Sequence, residues 1–436
     1  MNQSDPGGAS RRQFIKSSSA AIVGGALTSS FILPGRGRAQ NTSETLKVGL
    51  IGCGGRGSGA AKQALNADDN VKLTALGDAF PDRLKGSLNA LKEDREVGQK
   101  VAVDPAHCFV GLDAYEKVIN SGVDVVILTS PPGFRPAHLK AAVAAGKHVF
   151  CEKPMAVDAP GVRSVLATVE EARKKKLAIV AGFCWRYNYA ERAGFEKVHE
   201  GAIGDIRAIY GTYLTGSLWS RPRQEDWTDL EWQVRNWLYF TWLSGDHIVE
   251  QCVHTIDKMA WAMKDQPPTA AVGIGGRLVR TDPVYGHIYD HFGIVYEYPE
   301  DVRAFIFCRQ QPNCFNDNSD LILGTKGTAR ILGFRSPPRI TGETEWQYKG
   351  PRPDMYQIEH NELFASIRAG EPINDGVRMA HSTMLAIMGR MAAYTGGRIG
   401  WEEALNSEED LSPQRLAWDQ PLDMPPVAKP GLTKFL

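Results

Sequence analysis

Glu250, His254 and Asp257 have the types and spacing for proton chemistry; they lie within Gly245 to Asp257, GDHIVEQCVHTID. Read as one helix ending near Met263, this run puts Glu250 and His254 at i and i+4 on one face, with Asp257 on the same side. An imidazole with a reference pKa of ~6.5 can take a hydroxyl proton near neutral pH, and a nearby carboxylate can orient it and steady its charged form. Oxidising a secondary alcohol needs such a group, because the hydroxyl proton must leave as hydride departs from carbon. A Glu-x-x-x-His pair is also common as a surface ion pair, so the chemistry needs a second feature.

That feature lies near the start of the chain. Gly52-Cys53-Gly54-Gly55-Arg56-Gly57 matches G-x-G-x-x-G, directly after the apolar run Lys47 to Ile51 and before a helical stretch from Ala60 to Asn66. In a dinucleotide-binding turn Gly52 permits the tight bend, Gly54 lets the backbone approach a pyrophosphate, and Gly57 allows close helix–strand packing. The helix N-terminus adds amide donors. A second strand, Val71 to Gly77, ends at Asp78, about 20 residues past the last glycine, where a carboxylate accepts ribose hydroxyls and repels a 2′-phosphate. The spacing predicts NAD rather than NADP.

The elements that must hold these groups alternate between strand and helix. Val123 to Thr129 is a strand apolar on both faces, Ser130-Pro131-Pro132 turns the chain, and Pro136 to Ala145 is helical. Lys147 to Cys151 is another strand, running into Glu152-Lys153-Pro154. A helix from Pro160 to Lys176 and a strand from Leu177 to Phe183 follow. This is the pattern of a doubly wound parallel sheet, which binds ligands at the C-terminal ends of its strands. Lys153 and the Ser-Pro-Pro turn both fall there. Beyond a helix from Ala190 to Glu200 and a strand from Asp205 to Gly216, five of the ten tryptophans lie between Trp219 and Trp242. Indole faces stack on sugar C–H faces, and Arg235, Asn236, Trp237 and Asp246 are candidate hydroxyl contacts. A buried aromatic core is the competing reading. His287 to Tyr298 reads as a strand presenting His287, Tyr289 and His291 on one face. Further strands, helices from Tyr356 to Ala369 and Arg378 to Tyr394, and a tail rich in Pro and acids complete the chain.

Four segments in this order, G-C-G-G-R-G, S-P-P with His138, A-G-K-H-V-F-C-E-K-P (145–154) and G-F-C-W-R-Y-N (182–188), resemble the Gfo/Idh/MocA oxidoreductase family. The resemblance implies an α/β fold: an N-terminal Rossmann domain with a doubly wound parallel sheet, and a C-terminal α+β domain with a large open antiparallel sheet. It implies cofactor contacts from the turn, Cys53, Gly55 and Arg56 included, and from Ser130, Pro131, His138, Glu152, Lys153, Trp185 and Arg186. It implies substrate contacts at Tyr187 and Asp257 and catalytic roles for Lys153, His254 and Glu250. The family pattern D-x-x-x-H-x-x-D is met with Glu250 at its first position, one methylene longer than Asp, and with Asp257 at its last. The expected domains are 45–170 for NAD binding and 171–400 for substrate, with a tail over 401–436. A homo-oligomer is a family-level expectation.

Composition limits the alternatives. Fifty basic and fifty acidic residues cancel, so a polyanion such as nucleic acid is not the expected partner. No run reaches the ~20 apolar residues of a membrane span. Seven scattered cysteines without a CxxC pair do not suggest a metal site. Residues 10–16, SRRQFIK, followed by a mildly apolar stretch to Leu33 and by Gly37-Arg38-Ala39, resemble a twin-arginine signal over residues 1–39. Export to the periplasm of an already folded, cofactor-loaded protein is the corresponding expectation.

Three functions compete. One is hydride transfer between a carbohydrate secondary alcohol and a tightly bound NAD. A redox-neutral cycle is the second, either pairing oxidation of one sugar with reduction of another or acting as a glycosidase through transient oxidation and elimination. The third is a non-catalytic sugar sensor, disfavoured by the presence of Lys153 and His254.

Overall fold

The computed structural model describes residues 44–436; the signal expected over residues 1–39 lies outside them. Six strands form the first sheet: β1 (Leu46–Ile51), β2 (Val71–Asp78), β3 (Cys108–Val110), β4 (Val125–Leu128), β5 (His148–Cys151) and β6 (Ile179–Ala181). All pair in parallel, in the order β3-β2-β1-β4-β5-β6. β4, VVIL, is buried at every position. A strand covered on both faces by crossover helices must be apolar throughout, as this run is. The strand order reverses between β1 and β4, which opens a crevice at their C-terminal ends.

The first sheet extends past the boundary expected near residue 170, because β6 is its edge strand. It also recruits a later helix. Met355–Ala369 contributes Ile358, Leu363 and Phe364 to the same apolar core as Val48, Leu50, Ala60 and Ala64. Arg368 binds Asp68 through two contacts of 2.8 and 3.1 Å.

The second sheet has nine strands: β7 (Ile206–Thr215), β8 (Ala270–Gly276), β9 (His291–Glu297), β10 (Arg303–Gln310), β11 (Asp320–Gly324), β12 (Gly327–Ile331), β13 (Arg339–Gly342), β14 (Trp346–Gln347) and β15 (Ile399–Gly400). Their order is β14-β13-β12-β11-β7-β10-β9-β8-β15. Pairing is antiparallel except at the centre, where β7 and β10 run parallel. The sheet is therefore mixed, not purely antiparallel. Helices Val253–Ala262 and Gly376–Thr395 contribute to the core on this sheet, the latter through Met379, Met384, Ile387 and Met391.

Two local expectations change. The run after Gly245 is broken into helices His247–Glu250 and Val253–Ala262, with Gln251 at φ −113° between them. β9 starts at His291, so His287 and Tyr289 do not share a sheet face with it. His287 Nε2 lies 2.8 Å from Thr241 Oγ1, and Tyr289 donates its hydroxyl to the Ala428 carbonyl.

Candidate functional site

The glycine turn has the shape its spacing implies. Gly52 sits at φ +94°, and a Cβ there would stand 2.6 Å from the Ser130 amide nitrogen. Thr129 Oγ1 donates to the Gly52 carbonyl at 2.6 Å and braces the turn from β4. Gly54 and Gly55 face open space: a Cβ on either would meet nothing within 4 Å. Gly54 is the N-cap of helix Gly55–Ala67 and makes no side-chain cap, so the amides of the first turn remain available to an anion.

These glycines line a cavity of about 410 Å³ at the crevice between β1 and β4, together with Asp78, Ser130, Pro131 and His138. Asp78 accepts the amides of Cys53 at 2.6 Å and Phe80 at 2.9 Å, one on each carboxylate oxygen. Burial raises its pKa, and those two hydrogen bonds oppose the shift. Each oxygen keeps a further lone pair for a ribose hydroxyl. Cys53 contributes its backbone only; its side chain is buried in the core. His138 Nδ1 pairs with Ser130 Oγ at 3.0 Å and its ring stacks on Tyr115 at 4.1 Å. Burial, and then Arg135, lower its pKa to about 3, so it is neutral. An uncovered helix start, an open glycine cradle and a ribose-height carboxylate together fit a dinucleotide.

Arg56 leaves the turn for a different partner. Its Nε bonds Glu152, its Nη2 lies 3.2 Å from Glu359, and its guanidinium lies 4.9 Å from the Tyr356 ring. Glu152 is buried beneath this arginine and accepts the Lys153 amide at 3.1 Å. It therefore positions both Arg56 and Lys153.

Lys153, at the end of β5, meets the second sheet's helices. Its Nζ bonds Glu250 Oε1 at 3.0 Å and also the Glu250 carbonyl. Glu250 Oε2 and His254 Nδ1 are buried without hydrogen-bond partners. Burial, and then the positive charges of Lys153 and Lys258, hold the His254 imidazole well below its usual pKa range. A neutral imidazole, an ammonium and a carboxylate thus converge from two domains, with acceptor and donor capacity left over. Tyr213 on β7, which sequence alone did not single out, belongs beside them: burial and the Glu250 charge raise its hydroxyl pKa.

Several expected contacts have other occupations. Arg186 and Asp257 are read above as cofactor and substrate contacts, but they form a buried ion pair. Arg186 donates to both Asp257 oxygens at 2.9 Å, and Ser382 donates to Asp257 at 2.7 Å. The kink after Glu250 turns Asp257 toward this partner. Trp185 is packed with Cys184 and Met355, with Lys258 Nζ 4.8 Å over its ring. Tyr187 donates to Asp375 at 2.7 Å. Asp246 is fully buried; it accepts from His247 N, Tyr289 N and Tyr394 OH, and so caps the helix that carries Glu250. Asn236 is also fully buried, bonding Arg221 N at 2.8 Å and the Val284 carbonyl at 2.7 Å.

Arg235 and Trp237 do line a cavity wall, and it is that of the cleft beside the glycine turn and Asp78. Arg235 binds Asp82 at 3.0 and 3.2 Å, and its guanidinium lies 3.8 Å from the Phe80 ring centre. Trp219 and Arg221, from the same segment, share that wall. The sequence signal was the tryptophan cluster, read above for a sugar; in the fold Trp219 and Trp237 line the cavity that also holds the glycine turn.

Comparison with known proteins matches this arrangement. The model of the oxidoreductase family with an NAD-binding Rossmann fold matches residues 46–182, and that of the GFO/IDH/MocA C-terminal domain matches residues 195–330. Inositol 2-dehydrogenase of Azotobacter vinelandii is 24% identical over 364 residues, covering 81% of this chain and 95% of its own. That of Acidiphilium cryptum is 27% identical over 338 residues, covering 75% and 87%. Among solved structures, aldose–aldose oxidoreductase from Caulobacter crescentus aligns with a TM-score of 0.65 at 19% identity, covering 82% of this chain and 100% of its own. Levoglucosan dehydrogenase in complex with NADH and levoglucosan also gives 0.65, at 17% identity, covering 82% and 99%. These structural likenesses establish the shared fold.

Proposed function

The chain belongs to the Gfo/Idh/MocA oxidoreductase family, and from that premise we propose that it transfers a hydride between a secondary alcohol of a sugar or cyclic polyol and a bound nicotinamide. The observation that carries this reading is the meeting of Lys153 and Glu250 at 3.0 Å, beside unpartnered polar atoms of Glu250 and His254.

When bound, a nicotinamide dinucleotide supplies the hydride acceptor. The chain's own residues handle the oxygen. The Lys153 ammonium donates to the alcohol oxygen and stabilises negative charge as it develops. His254, neutral at pH 7, accepts the hydroxyl proton. Glu250 holds the ammonium in place and turns its free oxygen to a neighbouring substrate hydroxyl. Asp78 takes the ribose hydroxyls, which favours NAD over NADP.

The inositol and levoglucosan dehydrogenases above are named for cyclic, hydroxyl-rich substrates, which supports that substrate class. Their names, and that of the aldose–aldose oxidoreductase, favour hydride transfer over the elimination route and over a sensor. Residues 10–16 support placement of the mature protein in the periplasm.

The test is nicotinamide absorbance of the purified protein with and without a panel of inositols and aldoses. Lys153→Ala should abolish the absorbance change while circular dichroism and melting temperature stay close to wild type. Near-full turnover in that variant ends the assignment.

A further inference from the structure

We propose that Arg221 is a ligand for a phosphate of the cofactor, delivered by the second domain, and that the segment around it clamps the dinucleotide in its cleft. This rests on the dinucleotide reading of the glycine turn.

Arg221 lies in the long connection after β7, yet its side chain lines the cleft that holds Gly54 and Asp78. Its backbone is fixed at both ends. Asn236 accepts its amide at 2.8 Å, and Trp232 Nε1 donates to its carbonyl at 3.0 Å. Its guanidinium lies 5.2 Å from the Trp219 ring centre. Its Nε is buried without a hydrogen-bond partner, and it has no ion-pair partner among the described residues. A half-buried guanidinium with a buried, unmet Nε donor and no carboxylate partner, at the wall of this cleft, calls for an anion.

The neighbouring arginines have carboxylates and Arg221 does not. Arg235 holds Asp82 and Glu231, and Arg223 holds Asp229 at 2.7 Å. Arg235 thereby latches the segment to the helix Pro81–Glu93 of the first domain. An apolar cluster seals the latch: Phe80 of the first domain packs with Leu230, Val234 and Leu238 of the segment and with Trp418 of the tail. The dinucleotide would thus lie between the glycine turn and a roof anchored by an ion pair, the packing of Phe80 and the segment around Trp418. Such a cofactor leaves slowly.

The test titrates the full chain with NAD and NADP, read by quenching of tryptophan fluorescence, and follows release by gel filtration with chromatography of the freed nucleotide. Arg221→Ala should weaken binding about 10- to 100-fold, the loss of one charged hydrogen-bonding contact, and speed release. Arg221→Lys should lie between. Arg223→Ala, on the same segment but paired away from the cleft, should match wild type. Equal losses for both dinucleotides identify the pyrophosphate as the contact, and a loss confined to NADP identifies a 2′-phosphate; either supports the ligand role. Wild-type affinity and release in Arg221→Ala for both overturn it. If the wild-type protein binds neither dinucleotide, the functional reading falls first and takes this proposal with it.

Discussion

Lys153 and Glu250 join the two halves of the molecule: the ammonium at the end of β5 touches both the carboxylate and the backbone carbonyl of the glutamate. The contact makes Glu250 a partner of the lysine as well as a neighbour of His254. Glu250→Gln keeps the shape and removes the charge. It should lower kcat/KM roughly 10- to 100-fold, the worth of a charged hydrogen bond, with little change in melting temperature. Steady-state kinetics across a substrate panel will tell; unchanged rates would make the pair merely structural.

Two glycines of one turn should respond in opposite ways. A Cβ at Gly57 would stand 2.0 Å from the Gly52 carbonyl oxygen, so Gly57→Ala must displace the backbone and should cost about 1–3 kcal/mol of stability. Gly54 has open space and an ordinary φ of −77°. Gly54→Ala should therefore melt like wild type but place a methyl group where the cofactor's pyrophosphate must approach the backbone. Thermal melts paired with NAD titration separate the two. Wild-type affinity in Gly54→Ala would remove the turn from the binding site.

Asp257→Ala tests whether this carboxylate serves structure or substrate. It strips the buried Arg186 of its two 2.9 Å contacts, leaving Asp265 as the remaining carboxylate. Loss of one partner of a buried pair costs about 3–5 kcal/mol. Urea unfolding should show a loss of that order. A variant of native stability with a raised KM would return Asp257 to the substrate.

Acid should destabilise the fold through its buried histidines. Burial lowers the pKa of His138 and His360 to about 3 and of His287 to about 4. Unfolded, each titrates near ~6.5, so between these values the unfolded chain binds more protons. Stability is then full above about pH 6.5 and falls as pH drops toward 4, by up to ~1.4 kcal/mol per pH unit for each histidine. Denaturant midpoints from pH 8 to 4.5 measure this. A flat profile would mean that these imidazoles are charged in the folded protein.

The glycine turn, Asp78 and Lys153 were legible as candidates because their placement resides in local backbone: a strand, a turn and a strand end announce themselves by short-range pattern. Arg186, Tyr187, Asp246 and Asp257 show the opposite case, since in the fold each is engaged by another side chain of the protein. A polar residue in a motif looks the same in sequence whether it faces a ligand or a buried counter-charge. Only the fold reveals that Asp257 faces Arg186, or that Tyr187 faces Asp375. The parallel, doubly wound character of the first sheet followed from alternation, yet its use of helix Met355–Ala369 did not, since nothing local ties residue 358 to residue 60. The kink at Gln251 was hidden likewise, because the helical period continues across it.

Trp418 lies far downstream of the glycine turn in the chain. Growing from its N-terminus, the chain can therefore complete most of its first sheet while Phe80 still lacks its covering indole. A nucleotide that enters during that interval would be enclosed once Trp418 docks on Phe80. If loading happens then, material stripped of its cofactor afterwards should refill slowly unless the segment around Trp418 is first pried loose.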